Sequence, residues 1–243
     1  CGAVGAVGFA VSWQALPQVY EYSPYTAAAM SSFLDADKSR MELPSGYGFL
    51  EESWQRPVLC LTGEERELAM RGALSQLGAY EEGGDDYALR NLLSSRWKFV
   101  FAGQKVGLTG YEYYGSCGSW QVYQNLYSLP YGVVYDTYLP QELLEQAAPE
   151  DKAKLALKGL ALSEEDYEKV KDLLTPVEQE VLLQLDETSV LTDCYQLAQR
   201  SVSGFEQTEK GFVAYSAFEE PGVAFFSVPY SQDYRCYVNG EEI

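Results

Sequence analysis

The sequence predicts an α+β fold: an antiparallel β-sandwich with a helical insertion at about 140–185 and an irregular N-terminal part. Short central segments alternate between apolar and polar residues, as half-buried strands do. The period becomes helical over the insertion, and beyond Ser189 short apolar segments return between turn residues. We therefore expect an α+β part at 1–138, the insertion at 139–188 and C-terminal strands at 189–243. The first and last parts are expected to form one compact unit.

The composition is that of a globular protein and excludes several functions. Of the 243 residues, 47% are hydrophobic and 22% are charged, which is ordinary for a folded domain. The net charge of −19 disfavours nucleic acid as a partner, because affinity for phosphates comes from Lys and Arg. The chain contains no histidine, which excludes Ser-His-Asp and Cys-His catalysis and most catalytic zinc sites. We predict no cofactor.

The cysteines and the N-terminus leave alternatives open. The five cysteines show neither a CxxC pair nor metal-ligand spacing, so we expect buried thiols and leave open whether one disulfide forms. The longest apolar run, residues 1–11, has about half the length of a membrane span. It fits the end of a membrane helix that continues upstream, a lipoprotein-type Cys1 or a buried strand. We favour the strand.

In the first half of the chain, helix signals follow an irregular stretch at 18–57. The capping box at 62–65, followed by apolar residues at helical spacing, predicts a helix that ends at Gly78. A second helix is predicted from Asp86, with three leucines on one face. The alternation at 97–101 then predicts a strand.

Two successive strands are predicted in the centre of the chain, at 120–125 and 133–138, on either side of a break at Pro130. Within the insertion, the segments 163–166 and 175–178 each begin with a residue suited to cap a helix. The second of these also has Pro at the first helical position. We expect about three short helices in the insertion.

The C-terminal part has the spacing of an antiparallel sandwich with hairpin connections. Five strands are predicted there, at 194–202, 205–208, 211–218, 222–229 and 234–238. The dipeptide Asn239-Gly240 is a strong signal for a two-residue hairpin turn. We therefore expect the chain to turn there into one more strand.

The candidate site is a carbohydrate-binding surface. Tyrosine makes up 20 of the 243 residues, and aromatic rings beside polar groups suit both half-buried sheets and sugar-binding grooves. The candidates lie on the two central strands and are Trp120, Tyr123, Asn125, Tyr135 and Asp136. By alternation, Tyr123 and Asn125 point to one face and Trp120 to the other. The alternative is that these side chains pack in the core.

Acidic residues give no firm catalytic or metal site. Adjacent carboxylates occur at 51–52, 64–65 and 85–86, but catalytic pairs are defined by a separation in space that sequence does not show. The spacing at 35–39 is similar to the start of a calcium loop, yet Gly46 stands where a bidentate Glu belongs. We assign no catalytic and no metal-binding residue.

Four segments follow one another in an order that matches a known family. They are residues 89–100 (LRNLLSSRWKFV), 120–125 (WQVYQN), 129–136 (LPYGVVYD) and 225–240 (FFSVPYSQDYRCYVNG). Each resembles a segment in the extracytoplasmic part of the YfhO family of bacterial multi-pass membrane proteins. The resemblance covers about two-thirds of the chain, from Leu89 onward. The last segment departs from the family pattern where Asp233, Tyr234 and Asn239 replace Gly, Trp and Asp.

The resemblance implies a place and a function. The family is similar to lipid-linked-sugar transferases of the GT-C kind, which transfer glycosyl groups outside the cytoplasmic membrane, and some members decorate lipoteichoic acid. The catalytic acids of such enzymes lie in loops between transmembrane helices, so no catalytic residue is carried over. The chain would be an accessory domain on the extracytoplasmic face, anchored by transmembrane helices of the same polypeptide. It would position a cell-envelope glycan or a polyprenyl-linked sugar.

Two other functions stay open at this point. A stand-alone extracellular carbohydrate-binding or adhesion module would bind soluble glycan without a membrane partner. A secreted glycoside hydrolase that depends on two carboxylates would lose turnover when a buried pair of acids is changed.

Overall fold

The computed structural model of the chain describes residues 40–42, 58–59, 86–118, 120–208, 211–218, 220–228 and 235–242. The predicted strand at 1–11, the helix that begins at the capping box and the calcium-like loop at 35–39 lie outside these residues. So do the acidic pairs at 51–52 and 64–65 and most of the irregular stretch.

A five-stranded sheet occupies the first half of the described chain. Its strands are β1 (Arg40–Glu42), β2 (Val58–Leu59), β3 (Ser95–Phe101), β4 (Tyr111–Cys117) and β5 (Trp120–Asn125), in the order β2-β1-β3-β5-β4. β1 runs parallel to β2 and β3, whereas β5 is antiparallel to both β3 and β4. The predicted strands at 97–101 and 120–125 are confirmed, and β3 begins two residues earlier than predicted.

Helix α1 (Tyr87–Leu92) leads into β3, as the three leucines after Asp86 predict. Asp86 is its N-cap residue, and Leu89 and Leu92 are buried. Ser94, between helix and strand, has a φ of 59°, a left-handed conformation that is uncommon for a residue other than glycine. Its hydroxyl group donates to the carbonyl oxygen of Pro130 at 3.1 Å, which ties this turn to the centre of the chain.

The insertion contains parallel strands as well as helices. β7 (Thr137–Pro140), β8 (Leu160–Leu162) and β9 (Thr175–Pro176) form a parallel sheet in the order β8-β7-β9. The helices of the insertion are α2 (Gln141–Gln146), α3 (Pro149–Lys158), α4 (Glu164–Val170) and α5 (Gln179–Leu182). The predicted cap of α4 is confirmed, because the Ser163 hydroxyl accepts a hydrogen bond from the Asp166 backbone N–H at 3.1 Å.

Two predictions around the insertion are wrong. The single strand predicted at 133–138 is divided at Asp136 into β6 (Gly132–Tyr135) and β7, which belong to different sheets. The segment at 175–178 does not begin a helix: the Thr175 N–H donates to the Asp136 carbonyl oxygen at 2.8 Å, and Thr175 and Pro176 are extended in β9. Pairing with β7 supplies the backbone bonds that a helix would otherwise make.

The strand predicted at 194–202 is also wrong, because most of that segment lies in helix α6 (Glu187–Ala198). The Asp186 carboxylate accepts a hydrogen bond from the Ser189 N–H at 3.1 Å and caps the helix. Val190, Cys194 and Leu197 are the buried residues of α6, at the spacing of one helical face. A short apolar segment such as 194–202 fits a strand and a helix equally well. The signal that decides for the helix is its N-cap residue, Asp186, which lies before this segment.

The remaining predicted C-terminal strands are observed over the described residues, one residue longer for the strand predicted at 205–208 and shorter for the other three. β10 (Gly204–Thr208) and β11 (Gly211–Tyr215) form an antiparallel hairpin, and β12 (Val223–Phe226) pairs antiparallel with β6. β13 (Tyr237–Val238) and β14 (Glu241–Glu242) form the hairpin predicted from Asn239-Gly240. Both turn residues have positive φ, 54° and 88°, as this turn requires.

One hydrophobic core draws on all three predicted parts of the chain. It takes residues from α1, β6, α3 and α6, with Leu93, Leu129 and Leu174 from the connections. A smaller cluster of Leu139, Leu144 and Leu155 lies within the insertion. Because both helices and strands, several of them antiparallel, pack around this core, the fold belongs to the α+β class.

Candidate functional site

The candidate site is on β4 and β5, at the edge of the five-stranded sheet. Tyr113 of β4 and Tyr123 of β5 are directly opposite each other in the antiparallel register. Just after this pair, the register shifts between Tyr113 and Gly115, so that Tyr114 forms a β-bulge. Bulges at sheet edges reorient side chains and interrupt pairing with other strands.

The rings of Tyr113 and Tyr123 form a corner that is open to solvent. Their centroids are 5.7 Å apart with an interplanar angle of 72°, the edge-to-face arrangement that aromatic pairs favour. Tyr113 is 58% exposed, and Tyr123 is half-buried. The Tyr123 hydroxyl donates to Gln121 Oε1 at 3.2 Å. The resulting surface, named here the Tyr113–Tyr123 surface, consists of Tyr113, Tyr123 and Gln121.

Trp120 is in the core of the sheet, because it lies on the opposite face of β5. It is only 4% exposed, and its ring stacks on Phe101 at a centroid distance of 3.9 Å. A sugar has no access to the faces of this indole in the folded protein. For Trp120, the alternative of core packing is therefore correct.

Asn125 is buried and joins three segments by hydrogen bonds. Its Nδ2 donates to Asn91 Oδ1 at 2.7 Å and to the Ser95 carbonyl oxygen at 2.9 Å, and its Oδ1 accepts from the Tyr127 N–H at 3.0 Å. Asn91 Nδ2 in turn donates to the Cys194 sulfur at 3.3 Å. Because these bonds satisfy buried polar groups of α1, β3 and the turn after β5, Asn125 has a structural role.

Tyr135 is a core residue as well. Its hydroxyl donates to the Ala156 carbonyl oxygen at 2.8 Å, and its ring meets Phe225 edge-on at 6.2 Å. Burial raises the pKa of the Tyr135 hydroxyl far above its ordinary value, so the group stays neutral. It connects β6 with the C-terminal end of α3.

Asp136 is exposed, but its carboxylate is paired with Arg200. A second carboxylate, that of Glu220, lies 3.7 Å from the same guanidinium nitrogen. Since Asp136 lies at the junction of β6 and β7, these contacts hold the insertion against the end of α6. The two strands that Asp136 joins belong to other sheets than the one that carries the Tyr113–Tyr123 surface.

The structure does not bring the five predicted residues together. Trp120, Asn125 and Tyr135 are buried, Asp136 is in an ion pair, and Tyr123 alone contributes to an exposed aromatic surface. Its neighbour Tyr113 was not among the candidates, although a cluster of tyrosines at 111–114 marks the segment. The missing information was the register of β4 on β5, which no local pattern specifies.

A buried ion pair lies elsewhere, between α3 and α6. Lys158 Nζ is 2.5 Å from Asp193 Oδ2, and the Lys158 side chain is fully buried whereas that of Asp193 is 18% exposed. The pair therefore joins α3 to α6 through side chains of opposite charge.

In the described ranges, no group of three or more Cys, Asp or Glu side chains is arranged to hold a metal ion. None of the helices in those ranges has both the length and the apolar composition to cross a bilayer.

Comparison with known proteins identifies no relative of this chain. No family model, no curated protein and no solved structure matches the chain.

Proposed function

We propose that the chain is a glycan-binding, non-catalytic domain on the extracytoplasmic face of a multi-pass membrane protein of the glycosyltransferase-like kind. It positions a cell-envelope glycan or a lipid-linked sugar for the membrane-embedded part of the same polypeptide. The resemblance of four ordered segments to the YfhO family supports the membrane context. As part of the same proposal, the antiparallel strands pack as a β-sandwich, which an experimental structure of the whole chain would test.

The Tyr113–Tyr123 surface is the observation that supports glycan binding. The apolar face of a sugar ring packs well on an aromatic ring, and side-chain amides such as that of Gln121 hydrogen-bond sugar hydroxyls. Tyr113 is 58% exposed at a sheet edge, and its neighbour Tyr123 is held in place by the Gln121 hydrogen bond. The two rings therefore offer a rigid, partly apolar surface, which loses little conformational entropy on binding.

Binding to an array of bacterial envelope glycans tests this function, followed by titration of the best ligand. We expect saturable binding that Tyr113→Ala weakens about tenfold, since loss of one aromatic contact costs up to about 1.5 kcal/mol. Tyr195→Ala is the matched control, because Tyr195 is a 64% exposed tyrosine that lies on α6 and not on the sheet. If no glycan gives saturable binding, or if both variants bind equally weakly, the proposal is wrong.

The membrane context has a separate test in the complete open reading frame. We expect it to encode apolar spans of about 20 residues next to the 243 residues of this chain. A complete protein that is secreted without any such span would contradict this part of the proposal. A stand-alone binding module would then be the better description.

A further inference from the structure

The cations closest to the Tyr113–Tyr123 surface in the strand register already make contacts of their own, and Lys98 is buried while Arg96 is half-buried. Lys98 lies opposite Tyr123 in the pairing of β3 with β5, but it is only 3% exposed. Its ammonium group donates to the Gly107 carbonyl oxygen at 3.2 Å and lies 5.6 Å from the centre of the Tyr111 ring. Arg96, two residues earlier, has its guanidinium 5.9 Å from the centre of the Trp97 indole.

Among the described residues on β3, β4 and β5, a phosphate at this surface would therefore meet phenol rings and amide groups, while the ammonium group of Lys98 is held in the interior. Glu112, the residue before Tyr113, is exposed and adds a negative charge to the same strand. The chain as a whole carries a net charge of −19, which repels polyanions over distances of about 10 Å at 0.1 M salt. An uncharged sugar chain meets neither obstacle, because stacking and hydrogen bonds to hydroxyls need no counter-charge.

Resting on the proposed glycan-binding function, we infer that the Tyr113–Tyr123 surface selects an uncharged sugar chain over a phosphate-bearing polymer. The ligand class is a neutral oligosaccharide whose ring stacks on Tyr113 while its hydroxyls meet the Gln121 amide. On a polymer that carries both sugars and phosphates, this surface would bind the sugar substituent and not the phosphodiester backbone.

The test is a direct competition between two sets of probes on the full chain. Neutral oligosaccharides released from bacterial envelopes are compared with the same oligosaccharides after chemical phosphorylation and with polyglycerol phosphate. We expect a neutral probe to bind at least about tenfold more tightly than its phosphorylated form at low salt, with the difference shrinking as salt screens the repulsion. Tyr113→Ala should weaken the neutral probe and Tyr195→Ala should not.

The outcomes separate this inference from the function on which it rests. If phosphorylated probes or polyglycerol phosphate bind more tightly, and Tyr113→Ala weakens that binding, the selection of neutral chains is wrong while glycan binding stands. If no probe of either set binds, both the inference and the proposed function are overturned. Neutral binding that Tyr113→Ala leaves unchanged would also overturn the inference, because another surface would then be responsible.

Discussion

Replacing Asp193 by Asn removes the negative charge from the ion pair between α3 and α6. The side chain of Lys158 is fully buried and its ammonium group is 2.5 Å from Asp193 Oδ2. Asn keeps the size of the side chain and one carbonyl acceptor, so the packing of α6 is disturbed little. What changes is that the Lys158 charge is left in the protein interior without its counter-charge.

The structure sets the expected size of the effect. Removing one partner of a buried ion pair costs about 3–5 kcal/mol, because the remaining charge is left uncompensated. The Asp193 side chain is still 18% exposed, so water reaches one side of the pair and we expect the lower end, about 3 kcal/mol. For a domain of this size, such a loss lowers the Tm by about 6–12 °C.

Equilibrium unfolding in urea, followed by circular dichroism, measures this loss. The matched control is Glu168→Gln, which breaks the exposed pair of Glu168 with Lys171 and should leave stability within error of the wild type. The double variant Lys158→Met/Asp193→Leu should recover most of the loss, since an apolar pair of similar volume has no charge to desolvate. A single variant as stable as the control, or a double variant as unstable as the single one, would refute the reasoning.

Three further predictions concern the packing and the cysteines. Gly222→Ala should cost about 2 kcal/mol in urea unfolding, because its Cβ would lie 2.5 Å from Val134 Cγ1 and 2.6 Å from the Tyr135 carbonyl oxygen. Gly204→Ala, whose Cβ would meet only Tyr215 Cδ2 at 3.3 Å, is the milder control. Asn125→Leu should cost about 3 kcal/mol in the same assay, since it leaves buried partners such as Asn91 Oδ1 without a hydrogen bond. A smaller loss than that of Gly204→Ala would contradict the structural role of the Asn125 hydrogen bonds. In thiol labelling mapped by mass spectrometry, exposed Cys236 should react in the native protein. Cys194 should react only after unfolding, because burial raises the pKa of its thiol to about 12; native labelling of Cys194 would contradict this.

The elements that sequence alone predicted correctly are those with a local physical signal. The Ser163 cap is formed within a few residues of the chain, and the Asn239-Gly240 hairpin follows from two residues that tolerate positive φ. Apolar and polar residues alternate along β3 and β5, so each strand has an apolar face that is buried when the sheet packs against the rest of the chain. The α+β class follows from the same patterns.

Tertiary structure decided the elements whose residue types suit both a helix and a strand. It also decided the candidate site, which depends on residues that are distant in the sequence. Thr175 and Pro176 are extended because β7 offers them backbone partners, although their residue types also suit a helix start. The segment that begins at Cys194 is helical because Asp186 caps it upstream and its apolar face packs on α1 and α3. For the candidate site, sequence indicated which residues are aromatic, but exposure depends on which face of a strand the rest of the chain covers. That coverage, with the register of β4 on β5, buries Trp120 and leaves Tyr113 and Tyr123 at the surface.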